Sequence, residues 1–320
     1  MQTYIIRRLL LTIPTLWIVT LIVFFVLRFI PGDAVDIIVS QNLGGTRSGK
    51  EDIKTALRRQ LGLDLPVHEQ YLKWMAGLLR GDLGASLWSK QPVTELIAIG
   101  LPVSLELSGF AMIISLLIAL PVAIYSGMRP DSKTDLGFRS LSIFFICVPD
   151  FWVGTVVLIF PPLLWGWGTR LTWVAFADKP VEHLIMVIVP AFILGMLLSG
   201  ITMRFARNMM LEVLSQDYIR TAWSKGLRER WVIIRHVLKN AFIPVITMIG
   251  LLLPVMLGSA VVVETIFSLP GLGNMLVRSI EHRDYPVISG VNMVVATFVL
   301  LLNILIDISY AWFDPRIKYT

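Results

Sequence analysis

LLLTIPTLWIVTLIVFFVL, residues 9–27, contains no charged side chain. As an α-helix rising about 1.5 Å per residue, a run of this length crosses hydrocarbon about 30 Å thick. Arg7 and Arg8 precede it and Arg28 closes it. A basic start before an apolar core resembles a secretion signal, but the core exceeds the ~7–15 residues of such a signal. Arg28, Phe29, Ile30 and Pro31 follow where small residues would mark a cleavage site. The stretch therefore reads as a retained first span.

The same pattern recurs outward from it. Apolar runs cover 107–125, 140–160, 184–203, 241–263 and 287–306. Hydrophobic residues make up 56% of the chain and charged ones 16%, against about 25% in a soluble domain. Mean hydropathy is +0.75. This composition excludes a soluble globule and predicts an all-α membrane protein of six transmembrane helices. Cys147 is the sole cysteine, so neither an internal disulfide nor a cysteine metal site is expected. His68, His183, His236 and His282 are scattered and read as ordinary loop or interface residues.

Between the first two runs lies a long mixed-charge loop, 31–100, with short helices expected at 52–61 and 67–79. Its GGTRSGKE stretch, residues 44–51, approaches a phosphate-binding loop. Glu51, however, replaces the hydroxyl that would contact Mg²⁺, and no strand precedes it. It reads as a polar loop, so the chain is expected to carry no ATPase of its own.

Charge sets the orientation. With the N-terminus cytoplasmic, the inner segments hold Arg7, Arg8, Arg129, Lys133 and Arg139, the basic stretch 204–240, and Arg316 and Lys318. The two later outer loops hold Arg170, Lys179, Arg278 and Arg283. The 31–100 loop is long enough that its charges count little. Both termini are thus expected in the cytoplasm, and the net charge of +6 needs no nucleic-acid partner.

The stretch QDYIRTAWSKGLRERWVIIRHVLKNAFIPV, 216–245, is too polar to insert. Leu227, Trp231, Ile234 and Leu238 recur at helical spacing, with Arg228, Arg235 and Lys239 on another side. Gly226 interrupts the pattern where a helix would end in a left-handed turn. Two short amphipathic helices hinged at Gly226 are expected. Read from these residues alone, an anionic-lipid-binding surface helix is the other possibility.

Ala222, three residues, Gly226, then a helix reaching Pro244 resembles the EAA loop of bacterial ABC importer permeases. RTAWSKGL and RHVLKNAFIPV are similar to the dipeptide and oligopeptide branch. So are IPGD (30–33), QLGLDLPVHEQYLKWM (60–75), GDLGASLWSKQPV (81–93), VVVETIFSLPGLGNML (261–276), RDYPVISG (283–290) and DPRIKY (314–319). Arg220 stands where the wider family carries Glu.

The resemblance implies a single permease domain, 1–320, with an outer loop at 31–100 and a cytoplasmic coupling loop at 204–240. A coupling helix between spans four and five would meet a separate ATPase through Arg220, Thr221, Ala222, Ser224, Lys225, Gly226 and Leu227. Expected partners are a second homologous permease, two ATPases that hold ATP and Mg, and an extracellular or periplasmic substrate-binding protein. The setting would be a bacterial or archaeal cytoplasmic membrane. No cofactor and no catalytic residue is expected on this chain. The implied cargo is di- or oligopeptide, and the branch also carries nickel chelates, glutathione and oligosaccharides.

Charges inside spans default to function. Asp150 follows Pro149 within the third run and is a candidate for the translocation path. Glu264 and Glu106 lie near span ends and read as interfacial or gating residues. Pro270 and Gly271, in SLPGLG after Glu264, resemble the outer turn that closes the path in this family. An ion-driven secondary transporter is the alternative, but paired intramembrane carboxylates and inverted repeats are not evident.

Overall fold

The structure is a computed structural model that describes residues 2–29, 54–55, 58, 64–168 and 172–313. The expected 52–61 helix lies largely outside these residues, although 54–55 and 58 are helical. The phosphate-loop-like stretch and the terminal DPRIKY lie outside them entirely.

Among the described residues the elements are helices. They are α1 (Gln2–Phe29), α2 (Val67–Leu79), α3 (Val93–Met128), α4 (Lys133–Cys147), α5 (Asp150–Trp165), α6 (Pro180–Leu214), α7 (Asp217–Ser224), α8 (Glu229–Ile266), α9 (Leu272–Glu281) and α10 (Tyr285–Phe313). Five helices, α1, α3, α6, α8 and α10, are long and apolar enough to span a bilayer. The bent pair α4–α5 makes a sixth if it is one broken span.

That pair corrects the expectation of one continuous third span over 140–160. The helix stops at Cys147 and restarts at Asp150, with an 89° bend. Pro149 explains the break. It lacks an N–H, and its ring pushes the preceding residue out of the helical region. Val148 accordingly sits at φ −81°, ψ 121°.

The described residues form two compact units, one within Val103–Gly273 together with 302–313, the other within 2–102 together with Asn274–Leu301. In the first, α6 is the most buried candidate span. Pro180 opens it at a position where a missing N–H costs nothing. α4, α5 and α8 pack on it. Leu107 and Ala111 of α3, Met186 and Leu194 of α6, and Met256 and Val263 of α8 share one apolar core. Close approach depends on missing side chains. A Cβ at Gly195 would stand 2.8 Å from the Ala111 carbonyl oxygen, and one at Gly250 2.9 Å from Ile306. Gly258, by contrast, faces open space.

In the second unit, Phe24 of α1 packs edge-on to Tyr71 of α2, with ring centroids 5.2 Å apart, and Thr20 Oγ1 lies 2.9 Å from the Tyr71 hydroxyl. Two of the sequence motifs also meet there. The 81–93 loop folds back through an Ala85–Pro92 bridge. Buried Asp284, from the 283–290 motif, accepts from the Ser86 hydroxyl and, at 3.0 Å, from the Leu87 amide. Trp88 stacks on His282 at 4.5 Å.

Candidate coupling surface and buried polar clasps

The 204–240 region divides differently from the expected pair of short helices. α7 is short and ends where Gly226 takes φ +75°, as the sequence predicts for a left-handed turn. The second helix is not separate. From Glu229 it runs on into the fifth apolar run as α8, passing through a π-helical stretch at Ile233–Leu238. The sequence carries no legible signal for that stretch.

Two apolar stripes compete for the interior here. Ile219 and Ala222 of α7 are buried with Met210 of α6 and with Val232, Val237 and Ala241 of α8. Of the stripe picked out by periodicity, Leu238 packs against this cluster while the other three residues point away. Leu227 is 44% exposed, Trp231 59% and Ile234 51%. Trp223 and Tyr218 are exposed beside them. Arg220, Thr221, Ser224, Lys225 and Gly226 are exposed too, so of the predicted coupling residues only Ala222 is inside. Arg220 reaches Asp217 at 3.6 Å, an exposed pair of little energetic weight. The result is an apolar knob, studded with cations, on a base that is firmly packed.

Glu264 lies near the end of α8, as expected, but its side chain is enclosed by protein. It is 0% exposed. The Ser104 hydroxyl of α3 donates to its Oε1 at 2.6 Å, and the Gly273 amide donates to Oε2 at 2.8 Å. The Leu272 amide donates to Ser104 Oγ at 2.8 Å. One carboxylate thus fastens the 267–273 turn to α3 and α8. Gly271 lies against it so closely that a Cβ there would be 2.3 Å from the carboxyl carbon. Pro270 belongs to the same turn.

With this geometry in place, comparison with known proteins is direct. Residues 119–319 match the family described as "Binding-protein-dependent transport system inner membrane component", and residues 1–108 match its N-terminal counterpart. The chain belongs to this permease family. It is 39% identical over 327 residues to the oligopeptide transport system permease protein AppB of Bacillus subtilis (strain 168), with both chains fully covered. It is 36% identical over 342 residues to the dipeptide transport system permease protein DppB of Escherichia coli (strain K12), covering all of this chain and 99% of that one. Among solved structures, the crystal structure of an amino acid ABC transporter with histidines shares the fold. Its TM-score is 0.54 at 16% identity, over 68% of this chain and 94% of that one.

Members of the family are membrane components of transporters, and other polar residues of this permease find places accordingly. Asp150, the third-span candidate, is half-buried at the N-terminus of α5, where its Oδ1 accepts from the Phe151 amide. Two buried clusters escaped the sequence reading. In one, Arg207 of α6 grips fully buried Asp135 of α4 with Nε to Oδ1 at 2.7 Å and Nη2 to Oδ2 at 2.6 Å. The Ser126 hydroxyl of α3 and the Asp131 amide complete the carboxylate's shell. In the other, His183, read as an ordinary loop or interface residue, is 1% exposed and meets Glu106 at 2.6 Å. The signals were an Asp three residues after Ser132 and a lone His after Pro180, and nothing nearby in sequence points to Arg207 or to Glu106.

Proposed function

We propose that this chain is a permease subunit of an ATP-binding-cassette importer for di- or oligopeptides. It forms half of the translocation path, pairs with a second homologous permease, and engages two ATPases and a substrate-binding protein. The full-length likeness to proteins named for oligopeptide and dipeptide transport supports the cargo class. We read residues 1–320 as one permease domain in a bacterial or archaeal cytoplasmic membrane. It has six spans, both termini inside, an outer loop at 31–100 and a coupling loop at 204–240. Nucleotide and Mg sit on the ATPases, and this chain supplies no catalytic group.

The observation that carries the reading is the exposed Trp223–Leu227–Trp231 knob at the Gly226 turn, seated on a buried base. An apolar knob at a water-facing loop is an unfinished interface. Its base is packed to α6 through Met210 and to α8 through Val237 and Ala241. Protein interiors are close-packed and compress little, so a displacement of the knob moves both spans. An ATPase that grips the knob differently in its two nucleotide states therefore biases the spans between inward and outward openings. Asp150, Glu264, Pro270 and Gly271 are the path and gate residues in this reading, with Glu264 as the fastener of the gate turn.

The contact is tested in the assembled transporter. Exposed Cys147 is first replaced by Ser, and Ser224→Cys is then paired with a cysteine on the ATPase surface. A cross-linked permease–ATPase adduct is expected. Its absence, with control pairs reacting, overturns the assignment.

A further inference from the structure

We infer that the contact between His183 and Glu106 binds one proton more than a neutral imidazole beside a carboxylate can hold, and that this proton latches the 172–179 segment to α3. The inference comes from donor and acceptor chemistry. His183 Nδ1 lies 2.8 Å from the Val174 carbonyl oxygen, which can only accept. Nδ1 therefore carries a hydrogen. In the neutral ring the other nitrogen is then a bare lone pair. That nitrogen, Nε2, stands 2.6 Å from Glu106 Oε1. An ionised carboxylate is also an acceptor only. Two acceptors cannot hold that distance without a hydrogen between them. A hydrogen therefore lies between Nε2 and Oε1, and the pair is neutral overall.

The surroundings make the proton structural. Trp173 and Phe176 meet the His183 ring at close to right angles, at centroid distances of 5.0 and 5.6 Å. Val174 lies between them in sequence, so the ring holds this segment by one hydrogen bond and two aromatic contacts. Glu106 holds the ring to α3. Among the described residues, Glu106 is the charged group facing the ring from another helix, and Lys179 and Glu182 beside it pair with each other at 3.2 Å. The core against which Trp173 packs is apolar. Glu106 is 29% exposed, so water reaches the pair from the carboxylate side, whereas the ring is covered.

The direction with pH follows. The latch is closed while the proton is bound, and it opens as pH rises and the proton leaves. That the latch faces the outside of the cell rests on the topology proposed above, whereas the proton count does not. Amide hydrogen exchange of the 172–183 peptide, read by mass spectrometry in the assembled transporter in lipid nanodiscs, tests it between pH 6 and 9. Rates are corrected for the intrinsic pH dependence and set against the 217–224 peptide. In the wild type, protection of 172–183 is expected to fall at least tenfold more than that of the control. In E106Q the amide can donate to a neutral Nε2, so protection is expected to stay flat across the range. A flat wild-type profile, or an E106Q profile that falls like the wild type, overturns the inference. Neither result bears on the ATPase contact.

Discussion

Gly271 and Glu264 illustrate a requirement that exists only between two residues. The carboxylate is fully buried, and Ser104 and the Gly273 amide fix it from both sides. It has no room to retreat from a methyl group 2.3 Å away. Overpacking costs about 1–3 kcal/mol where side chains can adjust. Gly271→Ala is expected at the upper end, about 3 kcal/mol, seen as a clear drop in the thermal unfolding midpoint in detergent. A midpoint unchanged from wild type would mean that the turn is not clasped as described. Asp135 and Arg207 form a similar two-residue dependence. Losing either partner strands a buried charge, a larger loss than the net worth of the intact pair.

The α7–α8 turn has a face that packs and a face that waits, and the two separate stability from coupling. Ile219 is fully buried between α6 and α8. Truncating such a side chain to Ala costs about 2–5 kcal/mol. Ile219→Ala is therefore expected to lower both the thermal midpoint and the substrate-stimulated ATPase activity of the assembled transporter. Leu227 lies on the exposed face of the same turn. Leu227→Ala is expected to leave the midpoint unchanged and still lower the stimulated activity. Should L227A couple normally, the knob is not the contact. The α4–α5 break is a second lesson at this scale. The run 140–160 is apolar on both sides of Pro149-Asp150, and the proline divides it into helices at 89°.

For the molecule as a whole, the proposed importer draws its energy from partner subunits. The importer reading predicts that the purified chain in liposomes moves no peptide under an ion gradient. Transport is expected only when the second permease, both ATPases, the binding protein and ATP are present. Radiolabelled peptide uptake measures this, and uptake by the chain alone would favour the ion-driven alternative. α1 is the least buried candidate span and carries Leu10, Ile13 and Trp17 on its open surface.

What could be read along the chain were properties set by neighbours in sequence. Apolar runs long enough for hydrocarbon, the bounds of α2, the left-handed turn at Gly226 and the family motifs all belong to that class, because solvent transfer and backbone sterics act locally. Tertiary structure decided what depends on partners far along the chain. It chose which of two apolar stripes near Gly226 is buried, because that choice depends on where Met210 and Ala241 stand. It joined Glu264, near a span end, to Ser104 a long way upstream, so that the carboxylate fastens a turn. It also joined His183 to Glu106 and Asp135 to Arg207. A buried polar group needs a partner, but its own sequence neighbourhood does not name that partner, and only the packing of helices brings the two together.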